Sequence, residues 1–178
     1  PYRFSILCRA AFSLCHKLQW YPDIMHSHDW SSALVPVLLK NFYRTGFFSK
    51  TASIFSIHNM GYQGKYPIGA FPLLALDYSI KTTAKLEQNG FLNFLQAGIF
   101  NADYITTVSP TYAKEIQTQE GGFNLDGLLR IRSDKLVGIL NGIDTDVWNP
   151  ETDKYLPQNY SINNLEKKVE CKKFLQKK

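Results

Sequence analysis

The pattern of apolar and polar positions predicts alternating helices and strands up to about residue 140. Residues 4–20 place Leu7, Ala11, Leu14 and Leu18 at steps of four, three and four, which predicts a helix with one apolar face. Short runs of β-branched and aromatic residues predict strands at 23–27, 51–58, 104–108 and 135–140. Helical patterns lie between them, at 30–43, 91–101 and 110–118. This order, with its short connections, predicts an α/β fold: a Rossmann-like parallel sheet with helices on both faces.

Other stretches carry weaker patterns. Prolines and glycines interrupt residues 59–90, which we expect to form a long functional loop with short helices. Residues 119–134 are polar and are predicted to be a connection, and 163–178 are predicted to form one charged helix. The chain starts at Pro1 in a helix-like segment and ends on this unpartnered helix, so we expect it to be part of a longer protein.

Polar residues follow three of the predicted strands. They are HSHDW at 26–30, His58 and Asn59 after the second strand, and NGID at 141–144. Ligands of open α/β sheets bind at the carboxyl ends of the strands, so these groups are expected to lie close to one binding crevice. Acidic residues near the strands are not assigned by this argument, because surface and capping roles are the default for them.

Composition and charge exclude several classes of protein. The chain has 178 residues, 44% of them hydrophobic, which is typical of a globular protein. Of the net charge of +5, +4 comes from residues 163–178, where six lysines face Glu166 and Glu170. We therefore interpret the basic charge as a solvated helix face and predict no nucleic-acid partner. No apolar run approaches about 18 residues, so neither a membrane span nor a signal peptide is predicted. The three cysteines form no CxxC pair and fit a reducing compartment.

A metal site is the main alternative for the histidines. His26 and His28 are two residues apart and would face the same side of a strand, as paired metal ligands do. However, no histidine follows His58, and Trp30 and Ser31 stand where an HxHxDH zinc motif needs Asp and His. The other interpretation of His26 is a strand residue with its ring nitrogens hydrogen-bonded. The chain also lacks GxGxxG, GxxxxGK and GxSxG motifs, so no phosphate loop or hydrolase elbow is predicted.

Four longer stretches carry a family resemblance in the right order and over nearly the whole chain. They are PDIMHSHDWSSALVPVLLK, SIHNMGYQGKYP, FLQAGIFNADYITTVSPTYAKEI and LDGLLRIRSDKLVGILNGIDTDVWNPETDKYLP. Together they resemble bacterial glycogen synthases and plant starch synthases. The resemblance implies a two-domain GT-B glucosyltransferase that uses no metal or other cofactor. Such an enzyme transfers glucose from a nucleotide sugar, usually ADP-glucose, to the non-reducing end of an α-1,4-glucan with retention of configuration.

The resemblance also implies site residues. His58 matches the family's active-site histidine, which binds the transferred glucose and helps to stabilise charge at its anomeric carbon. The expected substrate-binding residues are Asp29 and Trp30 of the HDW motif, Asn59 and Tyr62 on the next loop, and Asn141 of the NGxD motif. The family's HDWH motif has Ser31 at its fourth position here, which affects the expected acceptor contacts.

The resemblance further implies that essential parts lie outside this chain. The family's KxGG loop would precede Pro1, and the residues that hold the nucleotide diphosphate would follow Lys178. We therefore expect residues 1–140 to be the later part of the N-terminal, acceptor-side domain. Residues 141–178 would be the inter-domain crossing and the start of the C-terminal nucleotide-sugar domain.

These expectations leave alternatives open. We expect the chain alone to transfer no glucose, and the whole protein to act in the bacterial cytoplasm or in a plastid. One alternative is another GT-B transferase with a different sugar nucleotide. The other is a glucan-binding module without turnover.

Overall fold

Four parallel strands form the central sheet, in the order β1-β2-β6-β7. Their bounds are Ile24–His28 for β1, Ala52–Ile57 for β2, Tyr104–Thr107 for β6 and Leu136–Gly138 for β7. The registers place His28 beside Ser56 and Ile57 beside Thr107, so the carboxyl ends of the strands meet at one edge of the sheet. This computed structural model thus confirms the predicted α/β fold with a parallel sheet.

Helices connect the strands as predicted, although several are short or broken. Their bounds are α1 Tyr2–Lys17, α2 Asp29–Ser32, α3 Leu34–Leu38, α4 Ile80–Thr83, α5 Phe94–Asn101, α6 Pro110–Glu115 and α7 Asp126–Ile131. A π-helical turn, Leu39–Tyr43, continues α3, and 3-10 turns lie at Gly46–Phe48, Ile68–Leu74 and Ser133–Lys135. The predicted cap of α6 is confirmed, because the Tyr112 N–H donates to Ser109 Oγ at 2.9 Å and Pro110 is the first helical residue.

The helix predicted near the start of the chain is confirmed as α1, but the apolar face indicated by its leucines is not the side that packs on the core. Leu7 and Leu14 are 56% and 57% exposed, whereas Cys8, Phe12 and Cys15 are buried. The helix has apolar residues on two sides, and packing selects the side that carries Phe12. Its ring stacks on that of Tyr43 with 4.3 Å between the ring centroids. Burial raises the pKa of Cys8 to about 11, so its thiol stays protonated.

The two faces of the parallel sheet are packed differently. Residues that point to one face, such as Met25, Phe55 and Ile105, are buried in a core shared with the helices. Residues that point to the other face are more open to solvent, and Ile24 and Tyr104 are 52% and 50% exposed. Packing of Phe55 also depends on α5, because a Cβ at Gly98 would lie 2.7 Å from the Phe55 ring.

A small antiparallel sheet replaces part of the predicted loop at 59–90. Its order is β3-β5-β4, with bounds Lys65–Pro67, Phe91–Asn93 and Glu87–Gln88. The helix predicted from residue 91 therefore starts later, at Phe94, where the Asn93 side chain accepts a hydrogen bond from the Gln96 N–H. The connection predicted at 119–134 is also wrong in part, because it contains α7.

An ion pair fixes the amino-terminal end of the sheet. The Arg44 guanidinium donates to both carboxylate oxygens of Asp103, one of them at 2.8 Å, and Asp103 Oδ2 accepts from the N–H and the hydroxyl of Ser53 at 2.7 and 2.9 Å. Burial alone would raise the pKa of Asp103, but these hydrogen bonds and the charge of Arg44 hold it below its usual value. The pair joins the segment after α3 to β2 and to the start of β6.

The structure describes residues 1–177 and divides into two units, Pro1–Leu140 and Asn141–Lys178. In the second unit, the Asp144 side chain accepts hydrogen bonds from the Asp146 and Val147 N–H groups and so caps a turn. The helix predicted at 163–178 is two elements, a 3-10 turn at Ile162–Lys167 and α8 at Lys168–Gln176, and its last residue lies outside the described residues. None of the helices described is long and apolar enough to cross a membrane.

Candidate functional site at the carboxyl edge of the sheet

The carboxyl ends of β1 and β2 bring the predicted residues Asp29 and His58 into contact. Asp29 Oδ1 accepts a hydrogen bond of 2.9 Å from the His58 backbone N–H. Asp29 follows β1 directly and has a φ of 55°, a left-handed conformation that costs a non-glycine residue about 1–2 kcal/mol. Backbone strain of this kind is concentrated at functional sites. Asp29 therefore turns back from its own strand to fix the backbone at the end of the neighbouring one.

Three imidazoles form a cluster beside this contact. His28 Nδ1 and His58 Nε2 lie 3.1 Å apart, which is a hydrogen bond in which one ring donates and the other accepts. The rings of His26 and His28 lie 4.2 Å apart between centroids. His26 Nε2 is 2.7 Å from Ser56 Oγ, and this oxygen is 2.5 Å from Thr106 Oγ1. A continuous polar chain thus runs from His58 across three strands.

The surroundings of His26 in this cluster disfavour protonation of its imidazole. Burial lowers the pKa of His26 below its ordinary value, and the neighbouring His28 and His58 lower it further because like charges disfavour a second proton. The interpretation of His26 as a hydrogen-bonded strand residue therefore agrees with the structure. In residues 1–177, no three His, Cys, Asp or Glu side chains are grouped in a way that could hold a metal ion.

Sequence reasoning missed the contact between His28 and His58. It placed His28 in the HSHDW stretch expected near the same crevice as His58 and considered it as a metal ligand paired with His26, but predicted no contact between the two rings. The signal was present in the sequence, because both histidines stand at the carboxyl ends of predicted strands. What the sequence did not reveal is that β1 and β2 are hydrogen-bonded neighbours in a register that places His28 beside Ser56.

The Trp30 indole is packed inside the first unit and is half-buried. Its ring meets Phe4 edge-on at 4.6 Å between centroids and lies 6.3 Å from Tyr66. A Cβ added at Gly64 would lie 2.5 Å from Trp30 Cε3, so the glycine backbone approaches the indole directly. Gly64 also has a φ of 62°, which glycine adopts without strain. These contacts join α2 to the loop that follows His58.

The loop after His58 carries the predicted residues Asn59 and Tyr62. Asn59 Oδ1 accepts a 2.8 Å hydrogen bond from the Gly61 N–H, which makes a tight turn. The Met60 N–H donates to the Tyr112 hydroxyl at 3.2 Å, so α6 supports the same loop. Tyr62 is 67% exposed and offers an aromatic face to solvent. Asn141 belongs to the second unit, where it is exposed.

Fold and geometry together define an α/β protein with a candidate ligand site at the carboxyl edge of a parallel sheet. Comparison with known proteins gives the family. The family model described as "Starch synthase catalytic domain" matches residues 1–131. The chain belongs to this family.

Relatives agree with this assignment. The chain is 48% identical to the glycogen synthase of Treponema denticola over 99% of this chain. It is 50% identical to the glycogen synthase of Thermotoga maritima over 95% of this chain. It also matches the solved catalytic domain of starch synthase IV from Arabidopsis thaliana, bound to ADP and acarbose, with 37% identity and a TM-score of 0.77 over 98% of the chain. The chain spans about a third of these proteins, 36%, 35% and 36% of their lengths respectively.

Proposed function

We propose that this chain is the acceptor-side part of a retaining glucosyltransferase that extends an α-1,4-glucan from a nucleotide sugar. The observation that carries the proposal is the geometry around His58. Its backbone is held by the Asp29 carboxylate and its ring by His28, and its side chain is exposed at the carboxyl edge of the sheet. A site of this kind presents a fixed imidazole to a ligand in the crevice.

His58 is the proposed catalytic residue. Transfer with retention passes through a state in which positive charge develops at the anomeric carbon, and oriented dipoles stabilise such a state. An imidazole whose ring is fixed by a hydrogen bond can bind a sugar hydroxyl without being reoriented during the reaction. The hydrogen bond to His28 meets this requirement.

The remaining predicted residues divide into two kinds. Asp29 and Trp30 make their contacts within the protein, so we assign them a positioning role next to the sugar. Asn59 and Tyr62 lie on the exposed loop, where a polar group and an aromatic face can contact a glucan. Asn141 remains a proposed substrate residue from the second unit.

ADP-glucose is the proposed donor, since the matched starch synthase IV was solved with ADP and the relatives are glycogen synthases. Residues 1–140 would belong to the N-terminal domain of a two-domain GT-B enzyme, and 141–178 to the crossing into the nucleotide domain. Because the chain spans only about a third of the length of these relatives, the chain alone is proposed to be inactive. We propose the bacterial cytoplasm or a plastid as its compartment.

Incorporation of labelled glucose into glycogen tests the proposal. The longer gene product that contains this chain should transfer glucose from ADP-glucose, and His58→Ala should abolish the transfer. The 178-residue chain should transfer none. A higher rate with UDP-glucose would correct the donor. No transfer from either donor, with glycogen still bound, would favour the glucan-binding module instead.

A further inference from the structure

Two hydroxyl groups beside the histidine cluster lie outside the set of residues assigned to the site. Ser56 on β2 lies between His28 and Thr106 in the register of the sheet. Its Oγ is 2.7 Å from Nε2 of the diagonal neighbour on β1, His26, and 2.5 Å from Thr106 Oγ1. Ser56 itself is buried, with 7% of its surface exposed. The chain of contacts that leads to His58 therefore starts at a hydroxyl held within the sheet.

The number of available protons gives the direction of these hydrogen bonds. A serine or threonine hydroxyl has one proton to donate. Within residues 1–177, Thr106 Oγ1 has no partner other than Ser56 Oγ, so both protons are used only if Thr106 donates to Ser56 and Ser56 donates to His26. His26 Nε2 is then an acceptor, and the ring is neutral with its proton on Nδ1. The lowered pKa of His26 agrees with a neutral ring.

Packing alone does not fix the rings of this cluster. His26 and His28 lie on the more exposed face of the sheet. The last side-chain torsion of a histidine is broad and roughly two-fold, so a ring on an open face has more than one orientation available. The hydrogen bond from the buried Ser56 hydroxyl selects one orientation of the His26 ring.

The His28 ring is flanked by two other imidazoles. His58 Nε2 lies 3.1 Å from His28 Nδ1, and the His26 ring lies 4.2 Å away between centroids at an interplanar angle of 30°. Two charged imidazoles at this distance would repel each other, whereas a neutral His26 ring does not repel a protonated His28. A fixed and neutral His26 is therefore a support on which the His28 ring can keep its hydrogen bond to His58.

We propose that Ser56, Thr106 and His26 are positioning residues for the proposed catalytic imidazole of His58. This inference rests on the proposed function and extends it to three side chains behind the site. The two hydroxyls orient the His26 ring, the His26 ring supports that of His28, and the His28 ring orients His58. The orientation of the catalytic group at the end of β2 thus depends on a threonine of the neighbouring strand β6.

Steady-state kinetics of the longer gene product that contains this chain test the proposal. Ser56→Ala removes the hydroxyl that holds His26, and Thr106→Val removes the next hydroxyl with little change in shape. One lost hydrogen bond corresponds to about fivefold in the population of a single orientation. We expect kcat to fall about fivefold in Ser56→Ala and by a smaller factor in Thr106→Val, with KM for ADP-glucose and for glycogen unchanged. Thr106→Ser keeps the hydroxyl and should keep the wild-type kcat.

A double-mutant cycle shows whether Ser56 acts through the imidazoles. If its effect passes through His28, Ser56→Ala should not lower kcat further in the His28→Ala background. A hydroxyl that only stabilised the fold would instead lower kcat by the same factor in both backgrounds. That result would overturn the proposal, and so would a wild-type kcat in Ser56→Ala.

Two buried hydroxyls outside the cluster provide matched controls. Ser27 Oγ donates to the Ile54 carbonyl at 3.4 Å, and Thr51 Oγ1 donates to the Pro22 carbonyl at 2.7 Å. Ser27→Ala and Thr51→Val should lower the free energy of unfolding but leave kcat unchanged. A fall in kcat equal to that of Ser56→Ala would show that any lost hydroxyl in this region has the same effect, which contradicts a positioning role.

Chemical labelling separates a failure of this inference from a failure of the proposed function. If the wild type transfers no glucose from either donor, the proposed function fails, and the rate at which His58 reacts with diethyl pyrocarbonate, followed by mass spectrometry, decides the inference by itself. This reagent acylates neutral imidazole nitrogens and reacts slowly with nitrogens held in a hydrogen bond. We expect His58 to react several-fold faster in Ser56→Ala than in the wild type, and at the wild-type rate in Ser27→Ala. Equal rates in Ser56→Ala and the wild type would overturn the proposal.

Discussion

The facing ring nitrogens of His28 and His58, Nδ1 and Nε2, lie 3.1 Å apart and are hydrogen-bonded. His28 ends β1 and His58 follows β2, so this contact joins two strands at the edge where the site lies. Because the pairing uses Nε2 of His58, it selects the orientation of the ring. His28 is thereby a positioning residue for the proposed catalytic imidazole.

Replacement of His28 should impair turnover more than binding. In His28→Ala the ring of His58 loses its partner, and we expect kcat to fall about 10- to 100-fold, since small losses of orientation have effects of this size. KM for glucan should change little. His28→Asn places an amide near the former Nδ1 and should recover part of the rate. Equal kcat values for the alanine and asparagine variants would contradict the positioning role.

Two substitutions of Asp29 separate its geometry from its charge. Asp29→Asn keeps an acceptor for the His58 N–H and tolerates the left-handed backbone, so most of the activity should remain. Asp29→Gly relieves the left-handed strain but removes the acceptor, so kcat should fall, while the loss of the hydrogen bond, about 1–3 kcal/mol, is partly offset in stability by about 1–2 kcal/mol of relieved strain. Urea unfolding and initial rates measure the two effects. Loss of activity in Asp29→Asn equal to that in Asp29→Gly would show that the negative charge itself is required.

A methyl group at position 64 should displace Trp30. Gly64→Ala introduces backbone strain at φ 62° and a Cβ 2.5 Å from the indole. Gly46→Ala is the matched control, because its φ is 56° and nothing lies within 4 Å of the added Cβ. We expect strain alone to cost about 1–2 kcal/mol at Gly46 and the overlap to add about 1–3 kcal/mol at Gly64. Equal free energies of unfolding for the two variants would show that displacing the Trp30 indole does not reduce stability.

Stability should fall in acid through Asp103. The pKa of this carboxyl is lower in the folded chain than in the unfolded chain, so the unfolded state binds the extra proton first. The stability contributed by ionised Asp103 is therefore fully present above the pKa of the unfolded state, about 3.9. It is lost as the pH falls through the lower pKa of the folded state. Urea unfolding between pH 6 and pH 3 should show this loss in the wild type and a flatter profile in Asp103→Asn. Identical profiles would contradict the role of the ion pair.

Strands with a strong local pattern could be predicted from the sequence. The apolar run before His58 and the Ser109-Pro110 cap are local signals, and the structure contains β2 and α6 at these places. The family resemblance gave the candidate site at the same strand ends. These features depend on neighbouring residues only, which is why one sequence suffices to find them.

Features that depend on tertiary packing could not be predicted in this way. On α1, the pattern of Leu7 and Leu14 is as regular as that of Cys8 and Cys15, and only packing of the helix on the core decides which is buried. The strands of the antiparallel sheet have two or three residues each, too few to show a period of two. The pairing of His28 with His58 likewise depends on strand register.

The more solvent-exposed face of the parallel sheet has a consequence for the colloidal behaviour of the chain. Ile24, Tyr104 and Val137 point to this face, and each exposes about half of its surface to water. Leu7 and Leu14 on α1 add further exposed apolar area. Contiguous apolar surface promotes self-association. The apparent molecular mass of this chain by itself, measured by light scattering, should therefore rise with protein concentration, despite the repulsion between the positively charged α8 helices.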